Sequence, residues 1–464
     1  MRTICFYFQI HQPFRFRRYR FFDMGVNHYY YDDYSNESIL KRHEAKSYLA
    51  TNKILLDVIK EYGTRFKVAF SISGTALDQM ELYAPELLES FQKLAKTGCV
   101  EFLGETYSHS LASLKNRDEF EMQVKAHSDK IQQLFGKRPT AFRNTELIYN
   151  DEIGSWVADM GFKIALTEGA KHILGWKSPN FVYCNAINPK LKLLLRNYKL
   201  SDDIALLFSN KGWSEYPLTT EKFVGWLKNL DAKEEVVNLF MSYETFGTFH
   251  GADSGIFDFL RALPKAVFTH SKLTFSTPSE IADNLQPIAP MNFMHPVSWR
   301  DEARDVSVWL GNELQLEASN KLYALRDKAM NCGDPVLQKD WQYLQVSDHF
   351  FYMSTKFFTD GMHSSFNPYN SPYDAFINYM NILSDFELRV NQCIGSKVVE
   401  EKKIAPIMQQ KTEAAPKKPA AKTKAAPAKK AAAPAKKAPA KAPAAPKKKE
   451  TKPVKKTIAK TKKK

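Results

Sequence analysis

The chain has 464 residues, 44% of them hydrophobic, enough for a large core in one to three domains. Its formal charge of +15 is uneven: residues 402–464 hold 22 Lys and only Glu413 and Glu450 as acids, so the tail carries +20 and the first 401 residues −5. Five scattered cysteines without a C-x-x-C pair argue against a disulfide framework or a zinc site, and no run approaches the ~18 apolar residues of a membrane helix.

The chain opens on a dense apolar strand, ICFYFQI (4–10), which ends at His11-Gln12-Pro13. That run is too short for a secretory leader, and no small-residue cleavage site follows it, so a cytoplasmic protein with buried thiols is expected. ILLDVIKEYG (54–63) has helical spacing, KVAFSIS (67–73) reads as a strand, and PELLESFQKLAKTG (85–98) as an amphipathic helix stopped by Gly98. VEFLG (100–104) is a strand, FEMQVKAHSDKIQQLFG (120–136) a helix, TAFRNTE (140–146) a strand and DEIGSWVADMGF (151–162) a helix. KIALTEG (163–169) and VVNLFMSYE (236–244) are further strands. This βαβα rhythm over roughly 290 residues predicts a mostly parallel sheet wrapped by helices, closer to a barrel than to one open sheet. From about Asp301 the pattern is helical, with long stretches at 303–330, 335–358 and 373–392, separated by a loop at 359–372. After about residue 398 only Lys, Ala and Pro dominate, which predicts disorder. The expected domains are therefore 1–295, 296–397 and 398–464.

In a parallel α/β fold the C-terminal ends of the strands meet at one face. Four of the strands end in polar clusters: His11-Gln12-Pro13, Glu101 with Gly104-Glu105, Arg143-Asn144-Thr145-Glu146, and Ser242-Tyr243-Glu244. Singly, each reads as a strand-end cap or a salt-bridge partner, and Glu146 as a partner of Arg143. Together they point to one site.

HQP at the first strand, GCVEFLGETYSHSL (98–111), FRNTELIYNDEIG (142–154), FMSYETFGTFHG (240–251) and HPVSWRDEARDVSVWLGNELQ (295–315) resemble, in order and spacing, the five motifs of glycoside hydrolase family 57, α-amylase and α-amylase-like branch. The resemblance covers about residues 1–395 and extends to SDHFFYM (347–353). It implies an incomplete seven-stranded (β/α) barrel followed by a helical region. It also implies action on α-glucans with retention of configuration, and no metal or organic cofactor. On this resemblance Glu146 matches the nucleophile, and Arg143 on the same strand would keep it ionised. His11, Glu101, Arg143, Trp299 and Asp301 fall at substrate-binding positions.

Position 242 departs from the pattern. The family has an aspartate there as general acid/base, and this chain has Ser242, whose hydroxyl cannot protonate a leaving oxygen near neutral pH. The fifth motif also differs, with Arg300 and Ala303 where a small residue and a glutamate are usual. Glu244 would share a face with Ser242 if the strand ran that far. A two-residue step of about 6.6 Å, however, fits poorly with the roughly 5–5.5 Å between the carboxyls of a retaining pair.

Two functions follow. One is an α-amylase-like glycoside hydrolase with impaired turnover. The other is a catalytically silent carbohydrate-binding protein that keeps the cleft, with Trp176, Trp213, Trp226 and Trp299 available to stack on sugars or to fill the core. A metal-dependent deacetylase is set aside, because no two histidines stand in a His-x-x-x-His spacing. The tail resembles linker-histone tails, and its lysines predict salt-sensitive binding to nucleic acid or another polyanion.

Overall fold

In a computed structural model of the chain, the described residues are 2–356 and 366–413, with side chains as far as Ser396. The chain divides into a unit Met1–Lys403 and a unit Ile404–Lys464. Of the second, only the backbone of 404–413 is described, as the end of the helix Pro372–Glu413. That helix runs past residue 398, where composition predicts order to end. The rest of the expected disordered tail, 414–464, lies outside the described residues. Among these residues no helix is long and apolar enough to cross a membrane.

The fold is mixed α/β with parallel sheets. The strands are β1 (Thr3–Ile10), β2 (Val68–Ile72), β3 (Val100–Phe102), β4 (Ala141–Arg143), β5 (Ile164–Glu168), β6 (Tyr183–Asn185), β7 (Lys192–Arg196), β8 (Val236–Ser242), β9 (Thr274–Phe275) and β10 (Pro290–Met291). One sheet has the order β3-β2-β1-β8, with β9 also on β1; the other has the order β10-β6-β7-β5-β4. All pairs are parallel except β6 with β7. The two sheets touch twice. Just past β3, Gly104 bridges Phe142 of β4 in parallel. Just past β7, the Asn197 amide donates to the Asn238 carbonyl of β8 (2.9 Å).

Period-two alternation decides what each strand delivers where. In β1 the residues Ile4, Phe6, Phe8 and Ile10 join one apolar cluster with the surrounding helices. Cys5 and Tyr7 point the other way, into a smaller cluster with Ala69, Leu103, Ala141, Leu166, Leu194 and Phe240 from the other strands. Helix Pro278–Asn284 supplies Ile281 and Ala282 to that same cluster. The next inward position on each strand is polar: Gln9, Ser71, Glu105, Arg143, Glu168, Arg196 and Ser242, all but Ser242 buried. The inner apolar cluster is thus capped by a polar layer at the C-terminal ends.

The C-terminal region is more broken than its periodicity predicts. Helices Ser307–Leu310, Glu313–Ala324, Arg326–Cys332, Pro335–Leu344 and Ser347–Phe351 replace two long ones. Asn312 starts one of these with a capping box to Gln315, and Asp334 caps another that has Pro335 at its first position. These helices share one core with the strands: Phe142 and Ile153 lie in the same cluster as Trp309, Trp341 and Phe386. The expected division near residue 295 therefore does not separate two cores. Of the loop expected at 359–372, residues 359–365 lie outside the described residues. The cysteines depart from expectation as well: Cys332 and Cys393 form a disulfide, joining helix Arg326–Cys332 to helix Pro372–Glu413. The pairing is long-range, 61 residues apart, so no local spacing announces it. Cys5, Cys99 and Cys184 are free and buried.

Candidate active site

Gln9, Arg196 and Ser242 of the polar layer line a cavity of about 720 Å³, whose walls also include His11, Glu146, Glu244, Trp299, Asp301 and Asp348. After β4 the chain turns sharply through Thr145–Leu147, and Glu146 and Leu147 take left-handed backbone angles (φ 52° and 55°). Non-glycine residues adopt this conformation only when their surroundings hold them there. Here Asn144 Nδ2 donates to Ser113 Oγ and to the Ile148 carbonyl (both 2.9 Å), and Thr145 Oγ1 donates to the Ser110 carbonyl (2.7 Å). The Trp299 amide donates to the Glu146 carbonyl (3.2 Å).

Four donors hold the Glu146 carboxylate. Oε1 accepts from His109 Nε2 (3.0 Å) and Gln9 Nε2 (3.2 Å); Oε2 accepts from Trp299 Nε1 and Arg300 Nη2 (both 2.7 Å). Burial alone would push this carboxyl up. Arg300, His109 and Arg143 outweigh it and hold the pKa well below the ordinary carboxylate range. His109 donates its other nitrogen, Nδ1, to Glu105 Oε2 (3.0 Å). Burial disfavours its charge, but the two carboxylates outweigh it and raise its pKa, which favours the imidazolium form between the two carboxylates. His11 stacks on that ring at 3.9 Å; burial and the charge of His109 lower its own pKa. His11 Nε2 donates to Asp348 Oδ2 (2.9 Å), and Nδ1 accepts from Ser73 Oγ (2.7 Å).

On the same cavity, β8 ends at Ser242, whose Cα pairs with that of Gln9 on β1. Registered neighbours in a parallel pair face the same side, so Ser242 faces inward beside a residue that touches Glu146. The strand does not continue to Glu244: Tyr243–Thr245 form a tight turn. The turn nevertheless returns Glu244 to its neighbour, and Ser242 Oγ donates to Glu244 Oε2 (2.6 Å), while the Tyr48 hydroxyl donates to Oε1. Burial raises the Glu244 pKa; its two hydroxyl partners offset this in part, and the charge of Glu146 adds to the rise. The cavity thus holds one carboxyl kept anionic and another biased towards its proton, the separation that acid/base chemistry requires.

Of the other predicted residues, Asp301 lines the cavity with its carboxylate on Lys356 Nζ (2.9 Å). Arg143 is fully buried, 3.5 Å from Glu105 Oε2, and acts on Glu146 through its charge rather than by touching the cavity. The guanidinium groups of Arg143 and Arg196 lie over the Trp299 indole (5.4 and 5.6 Å from its centroid), contacts that help hold the ring for its donation to Glu146. Glu101 is not brought to the cavity: it shares its inward parity with Leu103 and Glu105 but sits at the opposite end of β3. There it caps helix Pro278–Asn284, accepting from the Ser279 amide (3.0 Å). Glu105, not Glu101, reaches the Glu146 network, through His109 Nδ1, but it is fully buried and does not line the cavity. Trp213 and Trp226 pack on the core, and Trp176 is 92% exposed, so of the four tryptophans considered Trp299 alone lines the cavity. Among the described residues no His/Cys/Asp/Glu group could hold a metal ion. Gln9, Tyr48 and Asp348 are new to the site. Strand parity could have found Gln9, and Asp348 lies in the SDHFFYM motif. Nothing local marks Tyr48, which precedes helix Leu49–Tyr62.

The chain and its fold are similar to known proteins. Residues 5–292 match Glycosyl hydrolase family 57. A protein of Methanocaldococcus jannaschii described as "Putative alpha-amylase" is 39% identical over 416 residues, covering 84% of this chain and 85% of its own. The fold is similar to that of a GH57 branching enzyme from Thermococcus kodakaraensis, solved with glucose (TM-score 0.61, 12% identity, 84% of this chain and 90% of that one). It is also similar to a 4-α-glucanotransferase from Thermococcus litoralis (TM-score 0.55, 16% identity, 75% of this chain), of which the chain spans 56%. With the family matched over most of its sheet-bearing region and a relative at this identity spanning most of its length, the chain belongs to glycosyl hydrolase family 57.

Proposed function

We propose that the protein acts on α-1,4-glucans by a retaining, α-amylase-type mechanism, with Glu146 as nucleophile and Glu244 as a proton source working through Ser242. The observation that carries the reading is two carboxyls on one cavity in opposite settings: Glu146 is held by four donors, His109 and Arg300 among them, and Glu244 bonds only the hydroxyls of Ser242 and Tyr48. The pKa of the first is accordingly lowered and that of the second raised. In the first step the Glu146 carboxylate attacks the anomeric carbon and the glycosidic C–O bond breaks. When Glu244 carries its proton, the 2.6 Å hydrogen bond reverses so that Glu244 donates to Ser242 Oγ; Ser242 then gives its own proton to the leaving oxygen as it takes that of Glu244. In the second step water adds to the anomeric carbon, its proton returns by the same path, and Glu146 leaves. A two-group relay is a weaker acid than a carboxyl at position 242, so turnover of natural glucans is impaired.

Steady-state hydrolysis of soluble starch and of an α-glucosyl fluoride tests the reading. Fluoride needs little protonation to leave, so wild type should turn it over far more readily than starch. Ser242→Asp should raise starch hydrolysis by placing a carboxyl directly at the leaving oxygen, and azide should speed fluoride turnover by replacing activated water. A second reading, a silent glucan-binding protein, is favoured by one observation: all four donors saturate Glu146, Arg300 among them. If neither substrate reacts and Ser242→Asp changes nothing, that reading replaces the first.

The same chemistry predicts a pH profile. Activity is lost as pH falls through the depressed pKa of Glu146, which must be anionic. It is lost as pH rises through the raised pKa of Glu244, which must be protonated. Arg300 is the leading cation holding Glu146 down, so Arg300→Ala should move the acid limb of kcat/KM on the fluoride towards neutral pH. An unmoved limb would assign it to another group.

For the tail, we infer from its lysine-rich composition a second contact with nucleic acid or another polyanion. DNA retention that falls steeply with added salt checks it.

A further inference from the structure

One charge in the cavity has no task in this chemistry. Arg15 lines the cavity and is only 4% exposed. Its backbone is fixed: the amide donates to Asn36 Oδ1 (2.8 Å), and the carbonyl accepts from the Asp32 amide (2.9 Å) and from Asn36 Nδ2 (3.3 Å). Its guanidinium is not matched. Nη1 reaches the Pro13 carbonyl at 3.5 Å, the guanidinium also hydrogen-bonds the neutral Tyr352 hydroxyl, and Nε has no hydrogen-bond partner, so both partners are uncharged. Among the described residues no carboxylate lies within ion-pair distance of Arg15, whereas the other cavity cations are all matched. Arg196 pairs with Glu168 and Asp202, Arg300 with Glu146, Arg304 with Asp202, and Lys356 with Asp301.

Arg42 and Lys46 add positive charge near Arg15, felt at His43. His43, another wall residue, is held neutral, its pKa brought down to about 3 by burial and by Arg15, Arg42 and Lys46. Arg42 lies 4.8 Å over the ring of Phe366, which also packs on His43 (5.2 Å) and lines the cavity. Asp348 is the nearby anion, acting on Tyr352 and His349 together with Arg15, but it makes no ion pair with Arg15. A buried guanidinium without a carboxylate in contact is unfavourable, and its fork of N–H groups matches an oxyanion.

We infer that Arg15 anchors a subsite for an oxyanion carried on the sugar chain, a phosphoryl or carboxylate substituent, so that the substrate class is an anionic α-glucan. This rests on the glucan reading of the same cavity.

Titration calorimetry of the full chain with maltotriose, maltotriose bearing one 6-phosphate, and maltotriose with one glucose oxidised to the uronic acid tests it. At least one anionic sugar should bind about tenfold or more tightly than maltotriose, as a charge-assisted bidentate pair would give. Which of the two gains more distinguishes phosphoryl from carboxylate. Arg15→Gln should reduce the preference to within about twofold, and Arg15→Lys should restore part of it. If maltotriose binds wild type and both anionic sugars bind no better, the inference is overturned while the glucan reading stands. That comparison needs no variant to fold. If the preference survives in Arg15→Gln, the oxyanion sits elsewhere and the assignment to Arg15 is overturned. If no sugar binds, the glucan reading fails and takes this inference with it.

Discussion

Glu146→Gln is expected to lower turnover of an α-glucosyl fluoride by at least about 10³-fold, because it removes the atom that forms the covalent bond. The effect should be chemical rather than structural. The turn carrying residue 146 is pinned by Asn144, Thr145 and the Trp299 amide, none of which depends on the carboxylate. The substitution does leave His109 and Arg300 with a neutral neighbour, and an amide cannot accept at all four donor positions that the carboxylate serves. A modest fall in thermal stability is therefore expected, and a melting curve recorded beside the rate separates the two effects. Retained fluoride turnover in a folded Glu146→Gln protein would remove Glu146 from the reaction.

The second large effect is expected at Glu244. Glu244→Gln should lower hydrolysis of maltooligosaccharides by about 10²–10⁴-fold, the usual contribution of a positioned acid. Bond cleavage in the fluoride should be much less affected. The hydroxyls of Ser242 and Tyr48 can each turn to accept from the new amide, so the site tolerates the change. Ser242→Ala decides how the proton travels. If Glu244 works through Ser242, the alanine variant loses natural-substrate hydrolysis to a similar degree; if Glu244 reaches the leaving oxygen itself, Ser242→Ala is spared. Wild-type rates in both variants would mean that no proton is delivered from this side of the cavity.

Much of this was legible in the sequence, because strand parity is simple. Once ICFYFQI is a strand, Cys5, Tyr7 and Gln9 must face one way, and the polar ends of the other strands follow the same rule. Glu101 shows where that reasoning falls short. Parity gives the face of a strand but not the height along it, and the strand ends beyond Phe102, so Glu105 rather than Glu101 reaches His109. Glu244 shows the converse. A tight turn after Ser242 breaks the two-residue repeat yet brings the carboxyl into contact with the serine, which strand geometry disfavours. Arg300 stood out as an unusual residue, but its ion pair with Glu146 depends on a loop in which Asp301 and Arg304 take left-handed angles. Tyr48, Asp348 and the Cys332–Cys393 disulfide arrive from distant segments, and no local pattern encodes such contacts.

The most direct test of the central claim is the position of a trapped sugar. Full-length protein incubated with an α-glucosyl fluoride carrying a second, ring fluorine to slow deglycosylation should gain the mass of one fluoroglucosyl group. Peptide mapping should place that group on Glu146, and Glu146→Gln should gain nothing. An adduct on another carboxylate would contradict the assignment of the nucleophile, and no adduct on a protein that binds maltotriose would contradict catalysis itself.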